Sequence, residues 1–291
     1  MSKIKIMTDS ASDVDKKTAE EMDICVVPFS VTYNGKVYTE GVDFSTEEFY
    51  DMLSSGSDYP KTSQIKSEQF IEYFNQFYKE GYTDIIYTAI CSTGSATYNN
   101  SLAARDEFFK QNPEAEGKIN IHIIDSHNYT GVYGYPVIEA AVKVKKGCDV
   151  DEIIAYIEDW LSCGEVHFVA YTLEYVKRSG RVSAGAAFMG ELLGLKPLIT
   201  IIDGESSVAE KVRGEKNIIP KMIDLAQKNM IPKTPYVLLE GSLRDEYEKF
   251  RDAITKTLGY PPERTLKIGA TISSHAGPKI IGMVIKGNKR R

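Results

Sequence analysis

The stretch Asp84-Ile-Ile-Tyr-Thr-Ala-Ile90-Cys91-Ser92-Thr93-Gly94-Ser95 carries the reading of this chain. Its first half is a short apolar run of the kind that makes a buried strand, and its second half breaks into hydroxyl residues and a glycine. The segment Tyr98 to Gln111 then reads as a helix. The same grammar recurs on either side. Lys3-Ile-Lys-Ile-Met7 is a strand ending at Thr8-Asp9-Ser10-Ala11-Ser12, followed by a helix over Asp13 to Met22. Ile119-Asn-Ile-His-Ile-Ile124 is a third strand, closed by Asp125-Ser126-His127 and followed by helices over 131–146 and Val150 to Leu161. Between them lie a strand at Ile24-Cys-Val-Val-Pro28 and a strand pair over Ser30 to Tyr38 around Asn34-Gly35. Ser45 or Thr46 caps a helix whose first turn is acidic, and Phe70, Phe74, Phe77 and Tyr78 give residues 67–79 an apolar helical face. Strands alternating with helices predict an α/β fold, a three-layer arrangement with a parallel sheet between helices.

A change of pattern falls at Ser162-Cys163-Gly164. Beyond it, 166–172, 198–202, 207–212, 235–240 and 266–272 read as extended, with helices near 185–194, 215–229 and 243–258. This predicts a second α/β domain with a more mixed sheet, dividing the chain into 1–162 and 163–291.

Composition narrows the chemistry. The 291 residues are 42% hydrophobic and 26% charged, with a formal net charge of −6, so no global field draws the chain to nucleic acid or anionic lipid. No run of about eighteen apolar residues predicts a membrane span, and MSKIKIMTDS turns polar before a signal-peptide core could form. Cys25, Cys91, Cys148 and Cys163 include no CxxC pair, and His122, His127, His167 and His275 are scattered. The expectation is a metal-free protein of the reducing cytoplasm. The basic tail from Lys286 to Arg291 reads as a solvated end.

Polar groups collect at the predicted strand ends: Thr8-Asp9-Ser10, Ser92-Thr93-Gly94-Ser95 and Asp125-Ser126-His127, with Lys61-Thr62-Ser63-Gln64 ahead of the Phe-rich helix. Ligands of open parallel sheets bind beyond the carboxyl ends of the strands, and hydroxyls with free N–H groups suit a carboxylate or phosphate. Any one such loop is ordinarily a helix cap. GxxxxGK[ST] and GxGxxG are both absent, which argues against a triphosphate or dinucleotide and leaves a small anionic head group. Cations follow in Lys177-Arg178-Ser179-Gly180-Arg181 and Lys211-Val-Arg213, and Ser273-Ser274-His275-Ala276-Gly277-Pro278 follows an apolar run. Ala184 to Leu195, small and poor in charge, suits a buried core helix or the lining of an apolar cavity. A serine hydrolase or acyltransferase using Ser92 or Ser95, with His275 as base and Asp125 behind it, is the enzyme alternative; the word Thr93-Gly94-Ser95-Ala96-Thr97 has one of the two glycines of a nucleophile elbow.

Taken together, Thr8-Asp9-Ser10, Lys61 to Gln64, Ser92 to Tyr98, Asp125-Ser126, Lys177 to Ser183, Leu192 to Pro197, Lys211-Val-Arg213 and His275 to Pro278 resemble the DegV family of bacterial fatty-acid-binding proteins over essentially the whole chain. The resemblance implies two α/β domains with a ligand tunnel between them and no cofactor. It places a long-chain fatty acid with its carboxylate at Thr62 and Ser92, His275 close by, and Ser63, Thr93, Gly94, Ser95, Ser126 and Gly277 in support. It further implies Arg181 and Arg213 on the head-group or partner side, transient membrane contact, and a separate fatty-acid kinase subunit that makes an acyl phosphate for phospholipid synthesis. The chain departs from the family wording. Where the usual form is Ser-Ser-x-Leu-Ser-Gly-Thr, it has Cys91, Gly94 and Ala96; Ile65 replaces a proline and Lys279 a glycine. Carriage of another amphipathic anion is the alternative these departures keep open.

Overall fold

Six consecutive buried residues, Ile4–Asp9, form the first strand, β1, and six more, Asp84–Ala89, form β6 beside it. Burial at every position, rather than at alternate ones, means that both faces of these strands are covered. β2 (Ile24–Val27) and β7 (Asn120–Asp125) complete a parallel sheet of order β2-β1-β6-β7. α3 (Ser67–Lys79) packs beside α4 (Thr97–Gln111), and Phe70 of α3 lies on Tyr87 of β6 with ring centroids 5.0 Å apart. α5 (Gly131–Lys145) rests on β1 and packs against α1 (Lys16–Met22) and α6 (Val150–Leu161). This computed structural model describes residues 2–56, 58–182 and 194–290.

The C-terminal part is a six-stranded mixed sheet of order β10-β9-β8-β13-β11-β12. Its strands are β8 (Gly164–Ala170), β9 (Leu195–Ile202), β10 (Glu205–Arg213), β11 (Val237–Glu240), β12 (Arg264–Lys267) and β13 (Ile280–Lys286). Among the described residues, only the β11–β12 pair of this sheet is parallel. Register sorts its side chains. Val166 pairs with Ile201, Phe168 with Ile199 and Gly282, and Leu239 with Gly282, so these residues share one face. The residues between them, such as Val169, Leu198, Leu238 and Met283, point the other way and form a separate cluster with α8 (Ile218–Asn229) and α9 (Arg244–Leu258). The first face belongs to the same hydrophobic cluster as the parallel sheet.

A third, antiparallel sheet of order β4-β3-β5 sits beside them, from β3 (Ser30–Tyr33), β4 (Lys36–Thr39) and β5 (Lys61–Ser63). Asn34 and Gly35 both take positive φ, as the tight turn between β3 and β4 requires. Ser45 and Glu48 make a reciprocal capping box at the start of α2 (Thr46–Ser55).

Several expectations are corrected. Residues 266–272 are not one strand: β12 stops at Lys267, and Ala270–Ala276 is a helix, α10. The strand β13, unforeseen in the sequence, lies inside the sheet between β8 and β11. Asp13 to Met22 is not helical throughout: a 3-10 turn at Ser10–Ser12 ends at Asp13, and α1 begins only at Lys16 after the Asp15 cap. The basic tail is docked rather than solvated. Lys286 and Lys289 reach Asp159, and Arg290 donates to Asp203, Glu165 and the Gly164 carbonyl. Residues 184–193, read as a core helix or cavity lining, lie outside the described residues, and Leu195 opens β9. No described helix is long and apolar enough to cross a membrane.

Candidate functional site

A cavity of about 970 Å³ opens where the three sheets meet. Its apolar wall is the inward face of the mixed sheet, Val166, Phe168, Ile201, Leu239 and Ile280, extended by Ile268 and Ile272. Its polar rim comes from Thr62 and Ser63 of β5, the β6–α4 loop from Ser92 to Ala96, and Arg181 and His275. Arg181 follows α7 (Glu174–Ser179), and His275 sits in the last turn of α10.

Buried bonds hold the rim in place. The Ser92 N–H donates to Asp125 Oδ1 at 3.2 Å, and the Cys91 N–H to the Asn128 carbonyl at 3.0 Å. Ser95 Oγ lies 2.9 Å from Thr97 Oγ1, which also accepts the Ile65 N–H at 3.2 Å. Asn100 Nδ2 donates to the Ile65 carbonyl at 2.7 Å. The first turn of α4 therefore grips both polar groups of Ile65 and ties the loop after β5 to the loop after β6. A proline at 65 would bring no N–H, whereas isoleucine does, and Thr97 satisfies it.

His275 Nε2 is 2.9 Å from Thr62 Oγ1, and Nδ1 is buried without a partner among the described residues. A buried N–H left unpaired costs more than an unused lone pair, so the ring proton belongs on Nε2, donating to Thr62. The Thr62 hydroxyl hydrogen then stays available to an acceptor in the cavity. Burial, with Arg181 as the lesser cause, lowers the His275 pKa to about 4. The folded state then binds fewer protons than the unfolded chain, so the contribution of His275 to stability is full above pH ~6.5 and is lost as pH falls toward 4. An NMR titration is expected to find its midpoint near 4; a midpoint at the ordinary histidine value would contradict the buried, neutral ring.

The helix that carries His275 is held from its other end. Asp13 accepts the Gly269 N–H and the Thr130 hydroxyl, while Glu40 accepts the Thr271 N–H and hydroxyl and the Ser10 hydroxyl. Both carboxyls are buried and their pKa values are pushed up by that burial. They face the N-terminus of α10, where free N–H groups favour negative charge.

The residues singled out in the sequence divide accordingly. Thr62, Ser63, Ser92, Thr93, Gly94, Ser95, Arg181 and His275 all line the cavity. Ser126 does not: it is fully buried, donating to the Asn128 carbonyl and accepting the Asn128 N–H. Gly277 ends α10 against the Tyr175 ring. Arg213 ends β10, eight residues from the lining residue Glu205 and so roughly 26 Å along the strand. Thr8-Asp9-Ser10 serves the interior, with Asp9 accepting from Tyr87, Tyr133 and the backbone of Ala11 and Ile90. Asp125 holds the Ser92 and His127 N–H groups and makes no hydrogen bond to His275 among the described residues; the Nε2 of that histidine is on Thr62 rather than on Ser92 or Ser95. The hydrogen-bond chain of a Ser-His-Asp triad is therefore not assembled from these residues. Tyr129, Thr271 and the sheet wall were missed. Alternation in 164–170 and 280–286 was the available signal for the wall, but it does not tell which face is inward.

The molecule is thus a three-sheet α/β protein built around an amphipathic cavity. The chain belongs to the DegV family: the family profile described as "Uncharacterised protein, DegV family" matches residues 3–287. A DegV domain-containing protein of Caldanaerobacter subterraneus is 32% identical over 287 residues, covering 97% of this chain and 98% of that one. One from Clostridium perfringens is 30% identical over 288 residues, covering 96% and 97%. Among solved structures, a DegV family protein from Thermus thermophilus, described by its fatty acid binding, superposes with a TM-score of 0.86 at 25% identity, covering 98% of this chain and all of the other. A stearic-acid-binding protein from Eubacterium ventriosum shares the fold at a TM-score of 0.86 and 24% identity, with 98% of each chain covered.

Proposed function

We propose that this protein binds a long-chain fatty acid, with its carboxylate at Thr62 and Ser92 and its chain along the inward face of the mixed sheet. The observation that carries the reading is the joining of two chemistries in one cavity: a rim of hydroxyl and backbone donors, and an apolar wall from four adjoining strands of one sheet. The fatty-acid binding described for the Thermus thermophilus relative supports it. Each CH₂ removed from water contributes about 0.8 kcal/mol, so a chain of about sixteen carbons gains on the order of 10 kcal/mol before ordering costs. The rim then needs to orient the head group more than to supply affinity. Thr62, oriented by neutral His275, donates to one carboxylate oxygen; Ser92 donates to the other. Arg181, exposed at the rim with Nε 3.4 Å from the Gly94 carbonyl, faces a partner that takes the head group, in this reading a separate kinase subunit that phosphorylates the bound acid. Native mass spectrometry of the purified protein tests the binding: a copurifying or added palmitate or oleate is expected as a one-to-one adduct. Failure to take up either acid overturns it. Preferential retention of isoprenoid acids or lysophospholipids would replace the fatty acid with another amphipathic anion in the same cavity.

A further inference from the structure

The head-group loop leaves room for an aromatic ring. A Cβ on Gly94 would stand 2.3 Å from the Tyr129 hydroxyl and 2.7 and 2.9 Å from Cε1 and Cζ of its ring. Such distances do not occur between real side chains. Gly94 has no positive φ, so its backbone does not call for glycine. The neighbouring tyrosine does. On its other side the loop is equally tight. Gly204, in the β9–β10 turn, would with a Cβ come within 2.7 Å of Cys91 Sγ and 3.1 Å of Thr93 Oγ1. The loop is caught between the ring and the hairpin, so neither can yield by moving it.

Tyr129 lines the cavity, and its neighbours place it at the polar end: its ring and hydroxyl lie against Gly94, with Cys91 and Thr93 of the same loop nearby. Its backbone N–H donates to Asn128 Oδ1 at 3.0 Å, and its ring packs against the main core, so it is anchored rather than swinging in solvent. Close-packed interiors tolerate little added volume beside such a ring.

We propose that Tyr129 is the specificity-determining residue at the head-group end, restricting the ligand to acids with an unsubstituted carbon next to the carboxylate. This rests on the fatty-acid reading above and deepens it: the ligand class is the straight-chain acid, and acids branched beside the carboxyl are refused. In this assignment a branch on that carbon would meet the ring, and the missing side chain at Gly94 is what lets the ring stand there.

Competition between palmitate and α,α-dimethyl palmitate tests the assignment, with folding of each variant checked by circular dichroism. Wild type is expected to prefer palmitate by about tenfold or more, the scale at which one methyl group is discriminated in a fitted pocket. Tyr129→Ala, and Tyr129→Leu as the variant that keeps more of the core volume, are expected to bring that ratio close to one. Gly94→Ala is expected to weaken both acids by displacing the ring, and Gly94→Ala with Tyr129→Leu to recover part of the loss, because the collision is gone. A folded Tyr129 variant that keeps the wild-type ratio overturns the assignment. Wild-type protein that binds neither acid overturns the fatty-acid reading instead, so the two failures are distinct.

Discussion

Thr62→Ala combined with Ser92→Ala is expected to lower fatty-acid affinity by two to three orders of magnitude while leaving the thermal unfolding transition in place. In the proposed binding mode each hydroxyl supplies a hydrogen bond to a charged group, worth about 1.5–3 kcal/mol, so losing both is expected to weaken binding by about 3 kcal/mol or more. Neither residue holds the fold. Thr62 is half-buried in the middle of a three-residue edge strand, and the Ser92 contact that positions the loop is made by its backbone N–H, which alanine keeps. Isothermal titration with palmitate measures the loss. Affinity within about threefold of wild type would place the head group elsewhere in the cavity. Thr62→Ala alone also removes the partner of His275 Nε2.

Asp9→Ala is expected to act in the opposite sense, damaging stability rather than the rim. Two carboxylate oxygens there accept four donors: the Tyr133 and Tyr87 hydroxyls and the Ala11 and Ile90 N–H groups. Alanine orphans all four at a fully buried site. At about 1–3 kcal/mol for each unpaired group, partly offset by relief of the buried charge, a loss of about 4 kcal/mol is expected in urea unfolding at pH 7. The cost also depends on pH. Burial raises the Asp9 pKa from 3.8 to about 6, so the folded state holds the proton over that window and the unfolded chain does not. The stability linked to Asp9 is therefore full below pH ~3.8 and declines as pH rises to about 6, which makes the substitution costlier at pH 4 than at pH 7. A loss under about 1 kcal/mol at both values would show that the four donors find other partners.

How far the chain can be read without its structure is clearest in single elements. Phe70, Phe74 and Phe77 recur at helical spacing, and α3 spans Ser67–Lys79, the range expected from that spacing. The Asn34-Gly35 turn and the Ser45 cap are equally local and equally legible. α10 is the contrary case. Ala270-Thr-Ile-Ser-Ser-His-Ala276 is rich in serine and β-branched residues, a poor helix by propensity, and it was read as partly extended. What makes it a helix is a pair of buried carboxylates at its N-terminus, Asp13 and Glu40, supplied from 256 and 231 residues away in sequence. No window along the chain contains that information.

The hydroxyl loops make the same point for the site. Ser92 and Ser126 both follow parallel strands in Asp- and Ser-bearing loops, yet Ser92 opens on the cavity while Ser126 is spent on Asn128. Asp9 and Asp125 were grouped with the rim, but both turn inward as clasps, Asp9 joining β1 to the end of β6 and α5, and Asp125 fixing the Ser92 loop. Arg181 and Arg213 had the same standing in sequence, and only Arg181 lies at the rim.

By itself, then, the amino-acid order determined the alternation of strands and helices, the change to a mixed sheet after Gly164, the family, and the supply of neutral hydroxyls at strand ends. These follow from periods of two and 3.6 residues and from short motifs, which are properties of neighbours in the chain. Only the tertiary structure decided which hydroxyl loops converge, which face of the mixed sheet is the apolar wall, that β13 lies inside that sheet, and that Tyr129 stands against Gly94. Periodicity tells that a strand has two faces. Which face meets the cavity is set by pairing partners far along the chain, as when Ile280 comes to lie opposite Ala170.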